Sequence, residues 1–231
     1  MNQVLEGKKI VVTGGFGALG RAVGIALTRA GAEVALVDKA TTPSDLQDSP
    51  HAWGEVDLNN GEVARHSLSA AAERLGGLDG LVNVAGGFVW ETVANGDVGT
   101  WDRLYAMNVR TALLASQAAL PHLLRRGGGR IVNVGALAAA QAKSGMGAYT
   151  AAKAGVARLT EALAEEVKDR GVTVNAVLPS IIDTPANRAA MPDEDPARWV
   201  DPAALAGVIV FLQSEAASPI TGALIPVKGR V

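Results

Sequence analysis

Short apolar runs alternate with longer amphipathic ones from residue 9 to residue 227, and this alternation restricts the fold more than any other feature of the chain. Residues 9–13, 33–38, 78–85, 130–135 and 172–178 read as strands suited to burial on both faces, with a weaker one at 52–56 and a last short one at 223–227. Between them, residues 18–30, 60–75, 100–126, 147–168 and 202–213 carry helical patterns. Pro121 is expected to kink the third of these near its end. Gly31 closes the first helix, and Asp201-Pro202 supplies an N-cap and a first-turn proline to the last. Repeated strand–helix–strand order calls for parallel strands joined by right-handed crossovers.

The expected fold is therefore α/β: a doubly wound, Rossmann-like parallel sheet of about seven strands with helices on both faces. No internal repeat, linker or composition break divides residues 1–231, so a single domain is expected. Residues 180–200 carry Pro, Asp, Asn and Trp without clear periodicity and read as a substrate lid. Hydrophobic residues make up 48% of the chain, enough for a sizeable core. The net charge of −2, without long Lys/Arg runs, argues against nucleic acid or a membrane surface as partner. Cysteine is absent, which removes disulfides and thiolate chemistry, and His51, His66 and His122 lack metal-ligand spacing. With no signal-peptide core and no apolar stretch near the ~20 residues of a membrane span, a cytoplasmic protein is expected.

In a sheet of this kind ligands bind beyond the carboxyl ends of the strands, so the loops that follow strands carry the information. The first is Thr13-Gly14-Gly15-Phe16-Gly17-Ala18-Leu19-Gly20. Glycines let the backbone approach a pyrophosphate, and the helix that follows offers free N–H groups and a favourable dipole. Asp38, about twenty residues on, ends the second strand where a carboxylate accepts bonds from both hydroxyls of an adenosine ribose and repels a 2′-phosphate. NAD(H) is thus favoured, with NADP(H) kept as the alternative because Lys39 stands next door. Further on, Tyr149 and Lys153 lie one helical turn apart, so that the ammonium is expected near the phenol, favouring its ionised form. A phenol with an ordinary pKa of about 10 then becomes a proton donor or acceptor near neutral pH.

The chain resembles the short-chain dehydrogenase/reductase family from residue 8 to residue 229. The resemblance rests on the glycine turn, Asn83-Val84-Ala85-Gly86, Asn108, Tyr149-x-x-x-Lys153 and the segment from Pro179 through Thr184. It implies that Gly14, Gly15, Phe16, Gly17, Ala18 and Leu19 hold the pyrophosphate side of a nicotinamide cofactor, and that Asp57 and Leu58 flank the adenine. Asn83, Ala85 and Gly86 would line the cofactor, with Pro179, Ile182 and Thr184 at its carboxamide and phosphate end. Lys153 would bind the nicotinamide ribose, Asn108 would support a water-linked proton relay, and Tyr149 would donate the proton. Pairing of the helices at 100 and 147 across a two-fold axis, as is usual in the family, implies a homodimer or homotetramer.

Three residues depart from the family pattern. Ala18 stands where glycine is usual, Val84 replaces the second asparagine after the fourth strand, and Ala136 replaces a serine that hydrogen-bonds the substrate oxygen. Losing that donor would cost about 10²- to 10³-fold with an ordinary ketone. Within the family the chain is most similar to members of the quinonoid dihydropteridine reductase type, which also lack the serine and prefer NADH. The similarity is carried by Gly15-x-Gly17-Ala18-Leu19-Gly20, Val84-Ala85-Gly86-Gly87, Asp183-Thr184-Pro185-x-Asn187-Arg188, Met191-Pro192 and Trp199. It implies a planar, electron-poor substrate that takes hydride readily. The other reading is a catalytically weakened relative that keeps nucleotide binding or a regulatory role. Around the substrate, Ala136, Phe88, Trp90 and Met146 are the candidate contacts, with Met191 and Trp199 of the lid lining the same pocket; each of these has plain packing as its competing role.

Overall fold

A computed structural model describes residues 3–231. Its seven strands are β1 (Lys9–Thr13), β2 (Glu33–Val37), β3 (Ala52–Trp53), β4 (Gly80–Asn83), β5 (Gly129–Val134), β6 (Val172–Pro179) and β7 (Leu224–Val227). They form one parallel sheet in the order β3-β2-β1-β4-β5-β6-β7. The helices are α1 (Ala18–Arg29), α2 (Gly61–Leu75), α3 (Val98–Tyr105), α4 (Thr111–Arg125), α5 (Gly147–Val167), α6 (Pro185–Ala190) and α7 (Pro202–Gln213).

Each central strand buries both faces by simple alternation. Val11, Leu81, Ile131 and Val174 point into a core shared with α2, α4 and α5, whereas Ile10, Val12, Val82, Val132 and Val177 point into one shared with α1 and α7. That is the expected doubly wound arrangement. Burying these side chains contributes roughly 1.5–3 kcal/mol each, which outweighs the weak β-propensity of any single strand.

The expected long helix at 100–126 is divided. The break falls at Ala106–Arg110, a π-helical turn, and not at Pro121, which lies inside α4. Asn108 supplies the cause: its side-chain Nδ2 donates to the Leu104 carbonyl at 2.9 Å, competing with the backbone ladder. The lid is also more ordered than its sequence pattern implies. It holds α6, a short 3₁₀ turn at Pro196–Arg198 and a bridge between Ile182 and Val200.

Strand order reverses between β1 and β4, so the loops after these two strands diverge and open a crevice. They are held at a fixed separation. Ala85 N donates to Thr13 Oγ1 at 3.3 Å, and a side chain on Gly14 would lie only 2.8 Å from Ala85 N. No helix among the described residues is long and apolar enough to cross a membrane.

Candidate active site

The crevice fits a dinucleotide on two structural grounds. Gly20 has no room for a side chain, because a Cβ there would sit 2.0 Å from Gly14 O, so the turn closes as tightly as the sequence implies. At the start of α1, Gly17 provides no side-chain cap, as is also true of Arg110 at α4 and Met146 at α5, whereas Asn60, Asp97, Thr184 and Asp201 cap α2, α3, α6 and α7. The N–H groups of this one glycine-rich helix start are left for an anion. Gly14, Gly15, Phe16, Gly17 and Ala18 surround that opening, while Leu19 turns its side chain into the α1/α7 core.

Asp38 closes the far side of the same turn. Its Oδ2 accepts from Phe16 N and its Oδ1 from Ala40 N, both at 2.9 Å, so the carboxylate is oriented by the cradle it borders. The cations nearby are occupied. Arg21 forks onto Asp45 at 2.6 and 2.9 Å, and Lys39 pairs with Asp57 at 3.0 Å and holds that carboxyl below the usual carboxylate range. Leu58, expected beside the adenine, is buried in the core, so its side chain does not line the crevice. The Asn83 side chain is buried too, donating to Asn133 Oδ1 at 2.8 Å and Ser116 Oγ at 3.1 Å; only its backbone faces the loop that continues β4.

Tyr149 and Lys153 occupy the first two turns of α5, but their electrostatics differ from the expectation. Lys153 Nζ donates to the Val134 carbonyl of β5 at 2.8 Å, and burial pushes the ammonium down to about 8. Burial pushes the Tyr149 phenol up to about 12. Desolvation thus governs both groups, and the lysine does not lower the tyrosine as the spacing predicts. The result is a phenol that stays protonated throughout the neutral range beside a lysine with two N–H donors still free.

Asn108 and Gly86 complete this end of the crevice. Asn108 Oδ1 accepts from Gly87 N at 3.2 Å while its Nδ2 donates to Gly87 O at 3.1 Å, pinning the turn after β4. A Cβ on Gly86 would lie 2.6 Å from Asn108 Oδ1 and 3.4 Å from Lys153 Nζ. Gly86, Asn108 and Lys153 therefore converge. Because the Asn108 amide is spent on Gly87 and Leu104, a proton relay through this residue has to use its main chain.

On the substrate side, Ala136 is buried at the end of β5 and brings no hydroxyl to the cleft. Phe88 and Tyr149 meet edge to face, ring centroids 4.9 Å apart at 85°. Trp90 reaches across to the loop before α5, and Met146 stands at the α5 N-terminus. Pro179 ends β6, and the Thr184 hydroxyl is spent on capping α6 through Asn187 N at 3.2 Å. Trp199, assigned a pocket role from its sequence, is buried, and its main chain lies against Gly229, whose Cβ position is 3.1 Å from Trp199 C. A separate polar cavity of about 280 Å³ lies at the amino ends of the strands among Lys8, Asp79, Arg126 and Arg130, at the opposite end of the sheet from Tyr149.

Sequence reasoning missed the Val134 carbonyl as the lysine's partner, because a backbone group leaves no mark in the sequence. It also missed Gly145 as the seat of Trp90; an isolated glycine just before a helix was the available signal.

The short chain dehydrogenase model matches residues 8–195. The chain belongs to the short-chain dehydrogenase family. This short-chain dehydrogenase is 32% identical to 2-(S)-hydroxypropyl-CoM dehydrogenase 3 of Xanthobacter autotrophicus, covering 99% of this chain and 98% of that one. It is 36% identical to a protein of the same organism described as inactive 2-(S)-hydroxypropyl-CoM dehydrogenase 2, over 88% of this chain and 96% of that one. A short-chain type dehydrogenase/reductase from Mycobacterium ulcerans superposes with a TM-score of 0.89 at 26% identity, covering 98% of this chain and 90% of that one. An oxidoreductase built on a nicotinamide cofactor follows from this membership and agrees with the uncapped start of α1 and the Tyr149–Lys153 pair.

Proposed function

We propose that this short-chain dehydrogenase is an NAD(H)-dependent reductase whose substrate is small and either planar or carbonyl-bearing, with an electron-poor ring of the quinonoid dihydropterin type favoured. The observation that carries the reading is the half-buried Tyr149, its phenol pushed up to about 12 by desolvation, in a cleft without a hydroxyl at position 136. A bound nicotinamide supplies the hydride. Lys153 offers its free N–H groups to the nicotinamide ribose, and Tyr149 gives its proton to the reduced substrate atom. Phe88 packs edge to face against the Tyr149 ring. A ketone needs a donor for its developing oxyanion, whereas an electron-poor ring spreads that charge itself, so Ala136 is tolerated in the second case.

Asp38 supports NAD(H) over NADP(H). Arg21 and Lys39, the cations near it, are each paired with a carboxylate of their own, which leaves little charge to receive a 2′-phosphate. A second reading, a weakened relative retained for nucleotide binding, is favoured by Ala136 and by the relative described as inactive.

One experiment separates the two: NADH oxidation measured with quinonoid dihydropterin, a simple quinone and an ordinary ketone, on the parent and on Tyr149→Phe. Turnover on the first two that Tyr149→Phe lowers by about 10²-fold or more, with NADH binding retained, is the expected result. Saturable NADH binding without turnover on any of the three favours the second reading.

A further inference from the structure

We infer that Trp90 is a positioning residue: it latches the loop after β4 to the loop before α5 and so holds Phe88 on Tyr149. Trp90 is 60% exposed, yet it is anchored. Its indole Nε1 donates to Ser144 O at 3.1 Å, and its ring fills the space a side chain on Gly145 would need, 2.1 Å from the Cβ position. Gly145 itself has φ +74°, so glycine is required there twice over. The next residue adds a third tie, Glu91 N donating to Gly145 O at 2.8 Å.

The latch matters because of what it joins. Residues 141–144 are exposed, and the bonds Gln141 N to Ala138 O and Met146 N to Lys143 O are local to that loop. The loop after β4 is pinned at Gly87 by Asn108 and at Trp90 by Gly145, with Phe88 between the two pins. A phenylalanine that is 54% exposed would otherwise sample several rotamers; held from both sides, it keeps its contact with the Tyr149 ring. A Phe88 held in this way gives the substrate side of Tyr149 a fixed apolar flank. Trp90 acts from outside that contact: its N–H and one ring face are spent on Ser144 and Gly145. The consequence for a substrate rests on the reductase reading above; the latch itself does not.

Two readouts test this on the intact protein. The first is nitration by tetranitromethane mapped by mass spectrometry, which needs neither substrate nor cofactor and has exposed Tyr105 as an internal control. Opening the latch hydrates the phenol and brings it back toward its ordinary acidity, so Tyr149 nitration should rise about tenfold in Trp90→Ala. Gly145→Ala should show the same rise and a lowered melting temperature, because alanine is strained at φ +74°, while Trp90→Phe falls in between, Tyr105 is unchanged, and the two Trp90 variants melt near the parent. Parent-like Tyr149 protection in folded Trp90→Ala overturns the proposal.

The second readout is NADH oxidation with 9,10-phenanthrenequinone. Loss of positioning should lower kcat with KM nearly unchanged in both Trp90→Ala and Gly145→Ala. A rise in KM alone, confined to Trp90→Ala, would make Trp90 a substrate contact instead and overturn its role as a latch. Absence of turnover in the parent would count against the reductase reading while leaving the nitration result to decide the latch.

Discussion

Lys153 shows how a functional residue and a stabilising one part company. Its side chain is buried against the Val134 carbonyl, and the ammonium form is penalised enough to bring its pKa from 10.5 to about 8. Below pH 8 the folded protein therefore carries a buried charge that the unfolded chain would keep in water. Between pH 8 and 10.5 the unfolded state binds the extra proton, so this residue makes stability rise with pH over that window. Lys153→Met should accordingly raise stability by ~1–2 kcal/mol at pH 7 in urea denaturation, an advantage that shrinks as the pH approaches 10. The same change should weaken NADH binding and abolish turnover. Ala136 is the converse case, a residue whose chemistry lies in what it lacks. Restoring a hydroxyl with Ala136→Ser should improve kcat/KM for a simple ketone by ~10- to 100-fold while changing a quinone's rate little, measured by NADH oxidation on both.

At the scale of elements, local signals place most of the secondary structure. Asp201-Pro202 announces α7, and the structure shows Asp201 accepting from Ala203 N and Ala204 N at 3.2 Å each. Asp201→Ala should cost about 1 kcal/mol, read as a lower midpoint in urea with an unchanged slope. Asn60 does the same for α2, where the sequence pattern puts the helix start. The failures come where local signals are silent. Nothing in the periodicity of residues 100–126 distinguishes a straight helix from one opened at Asn108, since the opening depends on an amide finding Leu104 O and Gly87 across a tertiary contact. The lid escaped for a related reason: α6 spans Pro185–Ala190, too short for an apolar period to show.

The whole molecule brings the crevice together from segments far apart in the chain. The turn after β1, the turn after β4 and the first turns of α5 meet only because the sheet reverses its order between β1 and β4. The stretch 88–105 leaves Phe88, Trp90, Val93, Val98, Trp101 and Tyr105 all more than a third exposed, an apolar surface of the sort that marks an interface. It includes α3, which packs beside α5, in the region where the family resemblance puts subunit pairing. Light scattering coupled to gel filtration should show a dimer or tetramer, and Trp101→Glu should shift it toward monomer; a parent that runs as a monomer would remove the oligomer proposal.

The sequence by itself determined the α/β class, the strand and helix order, the glycine turn at Gly14–Gly20, the acid at Asp38, and the Tyr149–Lys153 spacing with its missing serine at Ala136. All but the missing serine follow from periodicity, caps and spacing, which are properties of neighbours along the chain; that Ala136 stands in place of a serine is what the family resemblance implies. Tertiary structure alone decided that burial, and not the charge of Lys153, sets the Tyr149 acidity, that Leu58 and Trp199 turn into the core, and that Trp90 rests on Gly145. Each of these depends on how much water or which backbone group surrounds a side chain, and only the packed molecule specifies that surrounding.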